Sequence, residues 1–359
     1  MAAKKWLISS ASFLIIAFVL CSVITYYVDP FFQYRVTDNR YFINERFCAP
    51  GLIKNYDYDT IIIGSSMTQN FDMDYFREKL DCQPLHIGIG GMQDEDLLKY
   101  VLLANDIGKA KNYYLCVDIH DFSRESESNV VDYLMKSDVI SHAQYAISYE
   151  SLFRFMPIDI ACGILADTGH PLPKAFKSKS SIDKFGYWGD EYEFGENIVL
   201  DSYGGGGVTV TDVDLNDLYE RMINSIDDFF SQLDFDSTDK YNFFFPPYSS
   251  LYWYNARKEG YMDIFFDAKG YFIEKATEYG ASIYDFQSAD FTTDLNNYRD
   301  ITHYKPEFND WMTDCFSDGT SRVTDKTYYQ YRIDAENLLN QFESKYSKYL
   351  SDFAMRELR

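Results

Sequence analysis

Apolar side chains run almost unbroken along the chain from Trp6 to Val28, with Lys4 and Lys5 just ahead of them. The run is about long enough to span a bilayer, which needs ~20 residues. Tyr26 and Tyr27 stand where an aromatic belt would lie, and Asp29-Pro30 ends the helix. The basic flank on the N-terminal side predicts a single-pass anchor, residues 1–28, with a cytoplasmic N-terminus and an extracytoplasmic body. A cleaved signal peptide is the rival reading. No small-x-small site closes the run, and Cys21 follows Leu20 rather than a small residue, so an uncleaved anchor is preferred.

Residues 29–56 read as an extended, aromatic connection. Beyond them, short β-branched or aromatic runs alternate with stretches of helical period. Asp57–Ile63 reads as a strand and residues 72–81 as an amphipathic helix. Leu85–Ile89 is the second strand, and Gln93–Ile107 is a helix with Leu97, Leu98, Val101 and Leu102 at helical spacing. Tyr113–Ile119 is the third strand. This alternation predicts an α/β fold, a parallel sheet with helices on both faces.

The pattern breaks over residues 123–215, where helical runs mix with Pro157, Pro171, Pro173 and the stretch Gly204–Gly207. These residues read as an inserted cap over the ligand edge of the sheet. The four glycines read as a turn, because no Gly-Lys-Ser/Thr follows to make a phosphate loop. Residues 214–233 are amphipathic again. Tyr241–Phe245 is a fourth strand, residues 261–278 a helix, Ala281–Phe286 a fifth strand, and Pro306–Phe316 a helix. A polar, Tyr-rich helix over 327–357 closes the chain. The expected organisation is therefore an anchor, a connection, one body over 57–330 carrying the insertion, and a C-terminal helix over 331–359.

Composition narrows the function classes. With 32 Tyr and 29 Phe a sizeable core is easily filled. The net charge of −23 argues against nucleic acid, which needs a basic stripe, and against broad docking on anionic lipid. Most of these charges are read as a solvated surface. The six cysteines, Cys21, Cys48, Cys82, Cys116, Cys162 and Cys315, form no Cys-x-x-Cys pair, so no zinc or redox site is indicated. A disulfide at Cys48 is open, with no partner fixed by spacing.

The chemistry gathers at three places. Ser66 ends the run Thr60-Ile61-Ile62-Ile63-Gly64-Ser65-Ser66, which puts a hydroxyl at the end of a buried strand. In an open α/β sheet that edge is where ligands bind. Far downstream, Asp300 and His303 stand three residues apart. A serine hydroxyl needs a base in hydrogen-bond reach, and the base needs an orienting acceptor. Ser, Asp and His in that chain order suggest acyl chemistry, with His303 as base and Asp300 as its orienter. Alone, Gly-Ser-Ser is usually a tight turn and Asp-x-x-His is common by chance; in order, and each after a strand, they are more specific.

These residues resemble the SGNH (GDSL-type) hydrolase superfamily, esterases and acyltransferases on a flavodoxin-like sheet. Gly64-Ser65-Ser66 matches its first block, with Ser65 in place of Asp, and Asp300-Ile301-Thr302-His303 matches its last. His86-Ile87-Gly88-Ile89-Gly90-Gly91-Met92 looks like the second block. The resemblance then implies that the amides of Ser66 and Gly91 line an oxyanion hole. The third block, Gly-x-Asn-Asp, has no match: His120 is only a positional substitute for its Asn. The resemblance spans roughly residues 57–135 and 235–320. It is nearest to the membrane-anchored Gly-Ser-Ser branch, similar to the D-alanine transfer protein of teichoic acid assembly and to members that partner polysaccharide O-acylation machinery.

The implied function is a membrane-anchored serine esterase or acyltransferase acting on a cell-envelope glycan or another acylated polymer. A membrane-bound O-acyltransferase is an expected partner, as is the bilayer through residues 6–28. No cofactor is expected. The alternative is a non-catalytic SGNH-like binding or assembly component of the same machinery. The missing Asn and the replaced Asp favour it, and the intact Ser66, Asp300 and His303 oppose it. Ser65, His120 and Tyr248 are expected to line the pocket, with Pro246-Pro247-Tyr248-Ser249 shaping it. Asp118, His120 and Asp121 with His86 would make a metal cluster on paper, but a polar pocket wall is the better reading. Trp253 and Tyr254 would be placed to stack on a sugar ring, unless they are simply buried. His142 and His170 are read as structural or exposed.

Overall fold

The β-branched run Thr60–Gly64 forms β1, with both faces of the strand buried. In the computed structural model, which describes residues 2–37, 44–124, 128–171, 182, 186–189, 191–203, 214–233 and 240–357, it belongs to a six-stranded sheet. The other strands are β2 (Pro84–Gly88), β3 (Asn112–Cys116), β4 (Lys240–Phe245), β5 (Ser282–Asp285) and β6 (Arg322–Val323), in the order β2-β1-β3-β4-β5-β6. All pairings are parallel except β5 with β6. The fold is therefore α/β, with a mostly parallel sheet flanked by helices.

Aromatic residues fill both sides by simple alternation along β4. Phe244 faces Phe71 and Phe316, at ring separations of 6.1 and 5.3 Å. Its neighbour Phe243 points the other way, toward Phe230 and Phe272 at 5.8 and 5.3 Å. The helices Met73–Leu80 and Glu307–Asp318 pack together, as do Leu215–Gln232 and Met262–Glu278. Parallel sheets need such cover on both faces. The strand order turns back at β1, between β2 and β3, and loops after β1 and β3 meet beside that point. In doubly wound sheets this is the ligand-binding position.

The chain divides into two units. One is Met1–Asp57 with Asn129–Phe185, the other Tyr58–Ser128 with Gly186–Arg359. The division cuts across the expected cap. Residues 129–171 group with the N-terminal segment, whereas residues 186–203 belong with the sheet. The glycines 204–207 and Pro173 lie outside the described residues.

The first unit begins with the helix Ala2–Val28. Among the described residues, this is the one helix long and apolar enough to cross a membrane. Its end is clamped by Asp29, buried in left-handed backbone at φ 44°. The Asp29 carboxylate accepts from the N–H groups of Gln33, Tyr34 and Arg35 at 2.8, 2.9 and 3.0 Å and from the Tyr145 hydroxyl at 2.8 Å. We expect Asp29→Ala to lower amide protection at Gln33, Tyr34 and Arg35 roughly tenfold or more, since an orphaned buried donor costs about 1–3 kcal/mol. Hydrogen exchange checks this, and unchanged protection would show that the clamp is dispensable.

The connection is not simply extended. Residues Glu45–Asn55 form a helix capped by Asn44, whose side chain accepts from the Phe47 N–H at 3.3 Å. Pro50 and Gly51 lie inside it. Gly51 is fixed by packing, because a Cβ there would stand 2.0 Å from the Phe31 carbonyl oxygen. No disulfide joins any of the six cysteines, and the Cys48 thiol is buried against the Pro30 carbonyl at 3.7 Å. His142 stacks on Tyr34 at 5.3 Å, and His170 is exposed.

Candidate active site

At the end of β1 the chain turns sharply. Ser65 is extended, and Ser66 opens a single 3-10 turn, Ser66–Thr68. The Ser65 hydroxyl accepts from the Met67 N–H at 3.3 Å, and the Thr68 hydroxyl donates to the Ser65 carbonyl at 2.9 Å. Gly64 has a steric reason of its own: a Cβ there would lie 2.4 Å from the Cys116 Cβ and 2.5 Å from the Thr68 methyl.

The Asp300–His303 turn reaches Ser66 from far along the chain. The Ser66 hydroxyl is 2.8 Å from His303 Nε2. His303 Nδ1 lies 2.8 Å from Asp300 Oδ2 and 3.0 Å from Oδ1. Asp300 Oδ1 also accepts from the Thr302 and His303 backbone N–H groups at 2.9 and 2.8 Å. Burial alone would raise the Asp300 carboxyl. The hydrogen bonds and charge of His303, with those two amides, outweigh it and bring the carboxyl down to about 2. An ionised carboxylate only accepts, so Nδ1 carries the imidazole proton and Nε2 accepts from the Ser66 O–H.

The turn is held from several sides. Tyr304 donates its hydroxyl to the Met67 carbonyl at 2.6 Å, tying the histidine turn to the serine turn. The Ser249 hydroxyl donates to the Ile301 carbonyl at 2.6 Å, and the Tyr298 hydroxyl to the Pro247 carbonyl at 2.9 Å. The Pro246–Ser249 loop therefore braces the turn as well as bordering the cleft. Trp188 sets its ring edge-on to His303 at 5.4 Å. Arg299 stacks on Tyr192 at 3.6 Å and brings its Nε within 3.6 Å of Asp300 Oδ2. Trp188 carries no motif and reaches the site by tertiary packing alone, whereas Arg299 is the chain neighbour of Asp300.

Ser66 opens on a cleft of about 410 Å³ lined also by Ser65, Gly91, Gln93, His120, Arg124 and Tyr248. Gly91 has φ 66°, a left-handed turn that favours glycine. Asp118 and Asp121 line the same cleft, and the Tyr248 hydroxyl donates to Asp118. Burial pulls His120 down to about 4, against the opposing pull of Asp118, so its imidazole is neutral at pH 7. Burial and the carboxylates of Asp118 and Asp94 push Asp121 well up. Arg124, which no sequence signal marked, approaches Asp121 only to 3.9 Å.

His86 stands apart from these groups. It is buried on β2, 3.3 Å from the Thr68 hydroxyl, and does not line the cleft. The paper cluster of His86 with Asp118, His120 and Asp121 therefore does not assemble. Among the described residues, no group of three His, Cys, Asp or Glu side chains is arranged to hold a metal ion. Trp253 is buried and stacked on Phe266 at 4.7 Å, which leaves it no free face for a sugar. Tyr254, half-buried, lies beside it on the helix Ser250–Lys258. No family model, curated protein or solved structure matches this chain.

Proposed function

We propose that this chain is a membrane-anchored serine esterase or acyltransferase of the SGNH hydrolase type, working through an acyl-serine at Ser66. The observation that carries the proposal is the hydrogen-bonded relay Ser66–His303–Asp300, with both side-chain contacts at 2.8 Å, opening on a cleft at the C-terminal edge of a parallel sheet. The strand order β2-β1-β3-β4-β5 and the glycine-rich turn after β2 support the SGNH assignment.

Ser66 Oγ attacks the acyl carbonyl while His303 Nε2 takes its proton. The developing oxyanion is met by the Ser66 and Gly91 amides, neither of which donates to another of the described residues. Collapse expels the leaving oxygen, which takes the proton back from His303. Water or a glycan hydroxyl then repeats the sequence on the acyl-serine. The basic N-terminal flank supports a cytoplasmic N-terminus and an extracytoplasmic body. That placement favours an envelope glycan or acylated polymer as substrate and a membrane-bound O-acyltransferase as partner.

The direct test is a fluorophosphonate probe on the full chain in detergent, with the adduct located by mass spectrometry. A single adduct at Ser66 is expected. A folded protein that stays unlabelled would replace this reading with the non-catalytic one, which the substitution of His120 for the family's Asn favours. Gly91→Ala refines the test. The added methyl meets no atom within 4 Å, so only the backbone preference is disturbed. Labelling should slow roughly tenfold to a hundredfold as the turn relaxes and the amide moves. An unchanged rate would remove Gly91 from the oxyanion hole.

A further inference from the structure

The segment 139–166 carries three charged residues in 28, Glu150, Arg154 and Asp159, in a chain that is 25% charged overall. Its apolar side chains do not all turn inward. The helix Val139–Ile147 buries Ser141, Tyr145 and Ala146, whereas Val139 and Ile140 are 84% and 71% exposed. Ile147 is also exposed, at the other end of the same helix. In the next helical stretch, Phe153 is 70% exposed. Ile160 and Ile164 follow on the helix Met156–Asp167, spaced to share one open stripe with the exposed Pro157. An acidic chain leaving this much aliphatic surface bare in one segment calls for an occupant.

The position of the segment names the occupant. Thr25, one turn before the end of the apolar helix, donates its hydroxyl to the Ala146 carbonyl at 3.1 Å. Tyr145 bonds Asp29 just past that end. Phe31 packs on Phe155 at 5.3 Å, which ties the start of the second stretch to the same exit. The rise from Trp6 to Tyr26 is about 30 Å, one hydrocarbon thickness, so Thr25 and Asp29 lie at the rim of the bilayer where the helix leaves it. Both exposed stripes are therefore held at the depth of a lipid interface, continuous with a helix whose own apolar side chains are bare. The Tyr149–Phe153 ring pair and the adjacent Arg154 are residue types that settle at that level.

We infer that residues 139–164 form a second, interfacial membrane contact, embedding Val139, Ile140, Ile147, Phe153, Ile160 and Ile164 in the leaflet from which the N-terminal helix emerges. The inference rests on the reading of that helix as a membrane span. Lipid burial here is driven by apolar area and not by charge, so a neutral bilayer suffices.

Photoreactive p-benzoylphenylalanine placed singly at Ile140, Phe153 or Leu14 tests this in the full chain, reconstituted in phosphatidylcholine nanodiscs. Ile140 and Phe153 should give lipid adducts within about threefold of Leu14. Adducts at Leu14 without any at Ile140 and Phe153 would overturn the inference and leave the anchor standing. No lipid adduct at Leu14 would remove the anchor and the inference with it. Chain-to-chain adducts at Phe153 in place of lipid would overturn it in favour of a second copy.

Discussion

Ser66→Ala should abolish acylation, and His303→Ala should be nearly as severe. In the proposed mechanism nucleophile and base act as one unit, so the double variant should be no worse than either single one, with losses on the order of 10⁴–10⁶ in each case. Asp300→Ala should retain more activity, because Asp300 never touches the substrate. Asp300→Asn separates its two duties. The amide oxygen can still accept from the backbone N–H groups of Thr302 and His303, so the turn should fold. The amide nitrogen, however, only donates, which drives the imidazole proton to Nε2 and spoils the base facing Ser66. A loss of roughly 10⁴ with an intact fold is expected from the wrong tautomer. Mass-spectrometric trapping of the acyl-enzyme reads all five variants even when a glycan acceptor is absent. If Ser66→Ala labels as wild type does, the nucleophile has been misassigned, and Ser65 is the next residue to test.

The acidic arm of this behaviour has a defined sign. The Asp300 carboxyl titrates near 2, below its ordinary value of 3.8. Its ionised form therefore stabilises the fold fully above the ordinary value, and that contribution is lost as pH falls through about 2. Any loss of activity at mildly acidic pH must then come from a group other than Asp300.

How much of this could be read from the sequence depends on the range of the interaction. The strands of the parallel sheet were legible because β-branched or aromatic runs stop at Gly, Pro or Asp, a local signal. The third strand is shorter than its apolar run suggests: the ladder ends at Cys116, although the Val117 N–H still reaches the Phe244 carbonyl at 2.9 Å. β6 has two residues and no pattern of its own; it exists because β5 offers an edge. The helix Glu45–Asn55 was hidden by Pro50 and Gly51, whose propensities argue against it until the Phe31 contact is known. The grouping of residues 129–171 with the N-terminal segment is wholly tertiary. At the site, the serine closing a strand, the three-residue spacing of Asp300 and His303, their order along the chain and the motif resemblance together suggested Ser66, Asp300 and His303 as a set. Trp188 meets His303 across more than a hundred residues, and no spacing rule reaches that far.

The largest stability effect is expected at Lys269, away from the cleft. Lys269 is 1% exposed, an unusual place for an ammonium group. Its Nζ lies 2.7 Å from Asp285 Oδ2 at the end of β5 and 2.8 Å from Gln287 Oε1. The rings of Phe245 and Phe266, with centroids 5.2 Å away, wall in the charge. Burial lowers the Lys269 ammonium below its ordinary value, against the opposing pull of the Asp285 carboxylate. Desolvation makes such a pair a poor source of net stability, but removing one partner strands the other in a dry core. Lys269→Met should therefore cost about 3–5 kcal/mol. Asp285→Asn in the same chain should recover most of that loss, because the stranded charge is gone. The Asn oxygen can still accept from the Gln287 N–H, which now bonds Asp285 Oδ1 at 3.0 Å. Urea unfolding of the full chain in detergent, followed by tryptophan fluorescence, compares the two variants. A neutral Lys269→Met, or a double variant as unstable as the single one, would show that the stranded carboxylate is not the source of the cost. Fluorophosphonate labelling of the folded fraction should be unchanged in both, since Lys269 is not among the residues lining the cleft.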